Sequence, residues 1–425
     1  MNSKRLDDEL PQMIGSTGVK VPGLGVIIYK GGSEVYSNFL GSRTIDNQNP
    51  ADNKPVTRDT RFRVASVSKM FTMFTIMQLM ERDILNLDED VSNYLNFSLR
   101  NPAYAEQKIT IRMLASHTSS ICDDKIYSIP SELSIEEFFS PAGKFYLNGA
   151  HFLPNQPSKF FQYSNLNYGV LGTIIENITG ERFDIYQREN ILSQLDTNAD
   201  YVPANLDPSA FEMLGTVYQK KNRSGVWNEF GDWFSKADDF KNIKPIRDSI
   251  SLQNPYDENF RMTCDLSDYK IGTNATIFSP QGGLRISFDE LSHVLELLLN
   301  NGFYNDHRIL SESSIQMMCK PQWIYDSISN NGDTYDGSIL NYGLGLYSID
   351  VKSNDHEVNL IGHTGVAFGM LSGLFFDPKN KNGFVYMING TAIDEDNDPR
   401  SKGIFSSNYI WEETLMNLIC TSFDF

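Results

Sequence analysis

Between Met70 and Leu87 the chain is apolar on nearly every side of a helical wheel, through Met70, Phe71, Met73, Phe74, Ile76, Met77, Leu79 and Met80. A surface helix keeps a single apolar stripe, so this pattern predicts a helix buried on most of its faces. The elements that could enclose it lie at the two ends of the chain. Gly23 to Tyr29 reads as a buried strand, Gly31-Gly32 as a turn, and Glu34 to Leu40 as the return strand of a hairpin. Thr44 to Asp59, rich in Asp, Asn and Pro, reads as loop. The last quarter carries further strands at Tyr342 to Ile349, Val358 to Ile361, Leu371 to Phe376 and Phe384 to Ile388, then an amphipathic helix from Asn408 to Ile419. The middle is mainly helical. Tyr168 to Ile178 forms a helix closed by Gly180, and Ser287-Phe288-Asp289-Glu290 is a capping box opening a helix that runs to Asn300. Residues 227–272, mixed in charge around Trp227, Trp233 and Phe240, read as a long loop or small excursion. The simplest architecture is one α/β domain formed by both termini, with a mostly helical domain inserted between.

Composition excludes several classes of function. The formal charge is −18, which repels phosphate backbones and anionic lipid heads, so no nucleic-acid partner is expected. No apolar run is long enough for a membrane span. The N-terminus lacks the apolar stretch of a signal peptide, which predicts a cytoplasmic protein as written, or a periplasmic or secreted one if the sequence is a processed form. Cys122, Cys264, Cys319 and Cys420 are scattered, with no metal-ligand spacing, so buried free thiols are expected and neither metal nor cofactor is implied. His151, His293, His307 and His356 lack convergent partners, and Asp394-Glu395-Asp396 reads as a solvated acidic loop.

Three short motifs can carry chemistry. In Ser66-Val67-Ser68-Lys69, at the start of the apolar helix, Ser66 and Lys69 share a face one turn apart. A serine hydroxyl needs a nearby base, and a lysine can be that base when desolvation lowers its pKa. Ser66 could equally be a helix cap, and Ser267-Asp268-Tyr269-Lys270 repeats the spacing without an apolar helix behind it. Tyr163-Ser164-Asn165 precedes the next helix and offers a phenol for proton transfer and an amide for a substrate carbonyl or for the lysine. Tyr36-Ser37-Asn38 is its decoy, and a turn packed by tyrosine is the alternative. His363-Thr364-Gly365 lies at a strand, where the glycine allows close backbone approach. An ordinary polar strand end is its alternative, and Arg223-Ser224-Gly225 is a similar tripeptide in a loop.

Order and context distinguish the set from its decoys. Ser-x-x-Lys at a helix start, Tyr-x-Asn about a hundred residues later and a His-Thr-Gly strand near the end resemble the serine β-lactamase-like hydrolases. That family includes class C β-lactamases, D-alanyl-D-alanine carboxypeptidases, D-stereospecific aminopeptidases and related esterases. Phe62 to Lys69, Leu114 to Ser120, Gln281-Gly282-Gly283-Leu284, Tyr342 to Gly345 and Met387 to Gly390 extend the resemblance over roughly residues 20–420, with 227–272 outside it. The resemblance implies an α/β fold in which an antiparallel sheet flanked by helices is built from 1–65 and 280–425, with 66–279 inserted as the mostly helical domain. It implies Ser66 as acylated nucleophile, Lys69 as general base and Tyr163 as proton shuttle. Asn165, His363, Thr364 and Gly365 would bind substrate, and the backbone N–H groups of Ser66 and Val366 would form an oxyanion hole. His117 resembles the family's structural loop histidine. His363 stands where class C β-lactamases carry lysine, which points toward the DD-peptidase and D-peptidase branches. The expected activity is metal-independent hydrolysis of an amide or peptide bond in a small molecule or peptide, near a D-residue. An esterase and a non-hydrolytic penicillin-binding or scaffold protein are the alternatives. In the related peptidases and lactamases the residue here faces the substrate's terminal carboxylate; a nearby carboxylate would raise the His363 pKa and burial would lower it, so its charge is left open. The oligomeric state is left open.

Overall fold

The structure is a computed structural model that describes residues 3–241, 243–254, 257–353, 356–394, 398, 403 and 410–423. Its centre is a seven-stranded antiparallel sheet. The strands are β1 (Gly23–Lys30), β2 (Ser33–Thr44), β3 (Lys54–Pro55), β4 (Tyr347–Ser353), β5 (His356–Ala367), β6 (Met370–Asp377) and β7 (Asn382–Ile388), in the spatial order β4-β5-β6-β7-β1-β2-β3. The two ends of the chain meet where β1 pairs with β7, with Val26 opposite Tyr386 and Ile27 opposite Val385. The expected α/β class, with an antiparallel sheet drawn from both termini, is what the chain forms.

Both faces of the sheet are covered, which explains why β1 reads as a continuous apolar run. Val26 and Ile28 face one core with helices α1 (Ser3–Met13) and α5 (Ile410–Phe423), through Leu6, Leu10, Leu415 and Ile419. Ile27 and Tyr29 face the other, with α2 (Ser68–Glu81), α3 (Asn165–Thr179) and α4 (Phe288–Leu299). Every residue of α2 from Ser68 to Leu79 is buried, as its all-round apolar pattern requires. The helix stops at Glu81 rather than Leu87 because Asp83 takes a left-handed backbone conformation (φ 56°). Leu85 and Leu87 then reach the core from the loop. Among the described residues no helix is long and apolar enough to cross a membrane.

Other expectations need adjustment, among them the loop read over Thr44 to Asp59, which carries β3. The strand read at Tyr342 to Ile349 is split into Asn341–Tyr342 and Tyr347–Ser353, because the backbone turns at Gly345 (φ 73°). The strand read at Val358 to Ile361 extends to Ala367 and carries the whole His-Thr-Gly motif. Residues 227–272 are not simply loop. Phe234–Ala237 pairs with Val217–Gln219, and Ser249–Asn254 forms a hairpin with Asp257–Asp265. Ile250, Leu252 and Cys264 from that hairpin enter the main core while Ser249 and Ser251 alternate outward, a period of two hidden by the polar surroundings.

The capping box at α4 forms as expected: Ser287 Oγ accepts from Glu290 N at 3.2 Å, and Glu290 Oε2 accepts from Ser287 N at 3.0 Å. Glu290 also pairs with Arg61, both nearly buried, and accepts from Asn198 N at 2.8 Å. One carboxylate thus ties three segments beside the strand that leads to Ser66. Glu290→Ala strands the Arg61 guanidinium in the interior and should cost about 3–5 kcal/mol, read as a lowered urea midpoint.

Candidate active site

From Thr60 to Leu79 every residue is buried except Ser66. The strand Arg61–Arg63 pairs with Arg285–Ser287, and α2 begins at Ser68, so a single 3-10 turn over Ala65–Val67 must join them. Ala65 is left-handed (φ 45°), an unfavourable conformation for an L-residue, and Ser66 is presented at the cavity wall just before the helix. Leu284 pins the turn from both sides: its carbonyl accepts from Val64 N at 2.9 Å and its N–H donates to Ser68 Oγ at 3.1 Å.

Lys69 Nζ lies 3.1 Å from Ser66 Oγ, 2.9 Å from Asn165 Oδ1 and 3.2 Å from the Gln281 carbonyl oxygen. The side chain is fully buried, and burial holds its pKa well below the ordinary lysine value, opposed only by the charge of Asp123. The Tyr163 ring covers the amine, with 4.6 Å from Nζ to the ring centroid. Burial raises the Tyr163 hydroxyl well above its usual pKa, while its interaction with Ser66 pulls the other way. The first two motifs therefore converge on one another.

Asp123, unmarked by any motif, holds that convergence together. Its Oδ1 accepts from Ser164 Oγ and Leu166 N, and its Oδ2 from Asn165 N and Asn165 Nδ2, all at 2.9 Å. It caps α3 from another part of the chain and dictates which way the Asn165 amide points, because Nδ2 must face the carboxylate and Oδ1 the lysine. Burial nevertheless raises the pKa of Asp123, against those four hydrogen bonds. Its partners lie 41 to 43 residues away, so no local spacing reveals it. His117 is a scaffold residue, as expected. Its Nδ1 accepts from Ser164 N at 3.1 Å, its ring lies 4.3 Å from that of Tyr163, and burial holds it neutral.

The third motif arrives along β5. Strand β4 pairs with β5 only as far as Tyr347 opposite Gly362, so His363 to Ala367 have β6 on one side and no β4 residue on the other. The turn that carries Ser66 packs against β5 and β6 here, with Ser372 Oγ donating to the Val64 carbonyl at 2.8 Å. A Cβ at Gly365 would lie 2.3 Å from the Val64 carbonyl and 3.1 Å from Ser66 N, so only glycine lets the two backbones meet. Val366 follows directly, and both it and Thr364 line the cavity. Thr364 Oγ1 lies 3.0 Å from the Tyr347 hydroxyl.

His363 does not have the charge a carboxylate receptor needs. It is 2% exposed, its Nδ1 faces the Thr364 carbonyl and its Nε2 lies 2.9 Å from the Tyr342 hydroxyl. For a neutral ring these partners assign the proton to Nδ1, donating to the carbonyl, and leave Nε2 to accept from the phenol. Burial is the main cause that pushes its pKa down to about 3. The decoys stay apart from the site. Ser267 and Lys270 are exposed turn residues, Tyr36 bonds Asp7, and Arg223-Ser224-Gly225 is an exposed turn at the rim. His151 and His293 bond backbone carbonyls, and His307 is exposed. Glu395, Asp396 and the His356 side chain lie outside the described residues.

The motif residues line a cavity of about 1260 Å³ whose far wall comes from residues 219–261. A fold with a two-ended antiparallel sheet and an apolar helix bearing serine and lysine at its start defines a class, and comparison with known proteins agrees. The Beta-lactamase family model matches residues 12–408, and the chain belongs to that family. "Protein flp" of Staphylococcus aureus (strain MRSA252) is 27% identical over 213 residues, covering 50% of this chain and 41% of that protein's length. The chain thus spans less than half of this relative. The D-amino acid amidase of Ochrobactrum anthropi SV3, complexed with D-phenylalanine, shares the fold with a TM-score of 0.62 at 17% identity, over 99% of this chain and 97% of that one. EstCE1, a hydrolase with promiscuous acyltransferase activity, has a TM-score of 0.62 at 21% identity, over 92% and 93%.

Asp123→Asn places an amide N–H against donors and loses part of the cap. It should cost about 1–3 kcal/mol of stability. Removing the carboxylate charge also takes away what raises the Lys69 pKa, so the lysine should titrate at still lower pH, read by NMR of 13C-labelled Lys69 Cε. An unmoved titration would show that Asp123 serves the helix cap alone.

Proposed function

We propose that this chain is a serine hydrolase that forms an acyl-enzyme on Ser66, cleaving an amide or peptide bond with a D-residue beside it. One observation carries the reading: a fully buried lysine amine whose pKa burial holds well below the ordinary value, with Ser66 Oγ 3.1 Å away. A neutral amine has two N–H bonds and one lone pair. Asn165 Oδ1 and the Gln281 carbonyl take the two N–H bonds, so the lone pair is left to the Ser66 hydroxyl.

In this reading the Ser66 proton passes to Lys69 as Oγ attacks the acyl carbon. The oxyanion forms between the N–H groups of Ser66 and Val366, helped by the N-terminal end of α2. Tyr163, whose hydroxyl interacts with Ser66, relays a proton from Lys69 to the departing nitrogen. Water then enters, gives a proton to the same pair and releases the acid, restoring Ser66. Asn165 Nδ2 has one N–H committed to Asp123 and a second for the substrate's acyl amide. Thr364 and the open edge of β5 align an extended substrate. The amide preference draws on the D-amino acid amidase, whose fold this chain shares.

The state of His363 refines the substrate. A neutral, doubly bonded imidazole provides no cation for a free carboxylate on the leaving group, so an amidase or internal-peptide substrate fits better than a carboxypeptidase one. The same observation favours esters with neutral leaving groups as a second reading.

Ser66→Ala should abolish labelling by a fluorophosphonate or fluorescent penicillin and lower turnover of D-amino acid amides roughly a thousandfold or more. Lys69→Ala should lose nearly as much, because the two act as one unit. A protein that binds penicillin yet turns over neither amides nor p-nitrophenyl esters would be a binder and not an enzyme.

The pH dependence should follow Lys69. Activity requires its free base, so the rate should fall as pH drops through the depressed lysine pKa. Because His363 remains neutral, substrates with and without a leaving-group carboxylate should give parallel profiles between about pH 5 and 8. A separate inflection near an ordinary histidine pKa, seen only with the carboxylate substrate, would return charge recognition to His363.

A further inference from the structure

The cavity has two ends, set by the direction of β5. Tyr347, Thr364 and His363 lie toward one end. Past Ser66 the strand continues to Phe368 and Gly369, whose turn packs against the Tyr218 backbone. At about 3.3 Å per residue, Phe368 is some 10 Å along the chain from Gly365. Arg63 sits at this second end, with its guanidinium 5.1 Å from the Phe368 ring centroid.

Arg63 is nine-tenths buried, and its known bonds go to neutral groups: Nε to the Gly282 carbonyl at 2.9 Å and Nη2 to Ser279 Oγ at 3.1 Å. Among the described residues no carboxylate lies within ion-pair distance of it. Asp238, the closest in influence, is held bidentately by Arg285 at 2.8 and 3.1 Å. Burial and the neighbouring Arg285 push its pKa down to about 10, so Arg63 stays charged at neutral pH. A buried cation without a counter-ion is costly, and its placement on a substrate wall is the kind of site a ligand anion completes.

The rim reinforces it. Arg223, Lys241 and Arg261 are exposed at the cavity mouth, and among the described lining residues seven cations face five carboxylates. In a chain of net charge −18 this is a local reversal of sign, aimed at the cavity. The carboxylates are engaged within the protein, Asp238 by Arg285, Asp123 by the start of α3, Glu412 by the Tyr386 hydroxyl and Asp239 by the Ser235 hydroxyl.

We propose that the acyl part of the substrate, the part left on Ser66, carries a carboxylate that pairs with Arg63 and is drawn in by the basic rim of residues 221–261. Charge recognition then sits at the acyl end of the cavity, opposite the leaving-group end where His363 is neutral. The placement of the acyl group rests on the acyl-enzyme reading, but binding can be measured without turnover.

The test uses full-length Ser66→Ala protein and calorimetric binding of anilides in matched pairs: succinyl, glutaryl and adipyl anilide, each against the neutral anilide with a terminal methyl in place of the carboxylate. At least one acid should bind about tenfold or more tightly than its neutral partner at low salt, with the advantage shrinking as salt rises. Adding Arg63→Gln should remove the advantage and Arg63→Lys should keep part of it. Arg223→Glu, an exposed change that leaves the core intact, should weaken only the acids. If none of the three acids binds more tightly than its neutral partner, the proposal is wrong, whatever the variants do. In the Ser66-containing protein, turnover of neutral p-nitrophenyl esters reports separately on the acyl-enzyme reading. Activity there with no acid preference would sink this inference and leave that reading standing.

Discussion

Burying one lysine amine without a carboxylate partner is the constraint on which the site depends. A charged ammonium in an apolar interior is expensive, and the protein offers it carbonyl oxygens rather than an anion, so the neutral amine is favoured. Only a helix enclosed on all sides can do this. The apolar surface of α2 therefore shapes the site, because it keeps water from the amine as well as filling the core. Asp123 orients the Asn165 amide toward the lysine and its charge pulls the Lys69 pKa upward, but the two form no ion pair.

The same economy of charge governs His363 and Arg63. Both line one cavity, yet burial neutralises the histidine and leaves the arginine charged, because an imidazole gives up its proton readily and a guanidinium does not. Position along β5 then separates a neutral end from a cationic end. The strand and turn between them form the scaffold, whereas the cationic rim comes from residues 221–261, an excursion beside it. Specificity carried on an excursion and chemistry carried on the core is a common division, since a loop can change without disturbing the packing that tunes the catalytic groups.

Much of this was legible in one dimension. The all-round apolar helix, the hairpin at Gly31-Gly32, the capping box at Ser287 and the left-handed stop at Gly180 are local patterns, each determined by residues within a few positions. The three motifs were legible because each is a short spacing on one element and their order along the chain separated them from decoys. The hairpin in 249–265 was missed because only Ile250, Leu252 and Cys264 mark its inner face among polar neighbours.

By itself the sequence determined which side chains could react, Ser66 with Lys69 a turn away and Tyr163 with Asn165 at the next helix, and that strands from both ends would share one sheet. Tertiary structure alone decided their protonation and their partners. Whether Lys69 and His363 are neutral depends on water excluded by residues a hundred or more positions away. Asp123 acquires its role only when α3 is set against it, and Arg63 has no carboxylate partner among the described residues because Arg285 has already taken Asp238. Electrostatic state is a property of the surrounding volume, and no spacing along a chain encodes it.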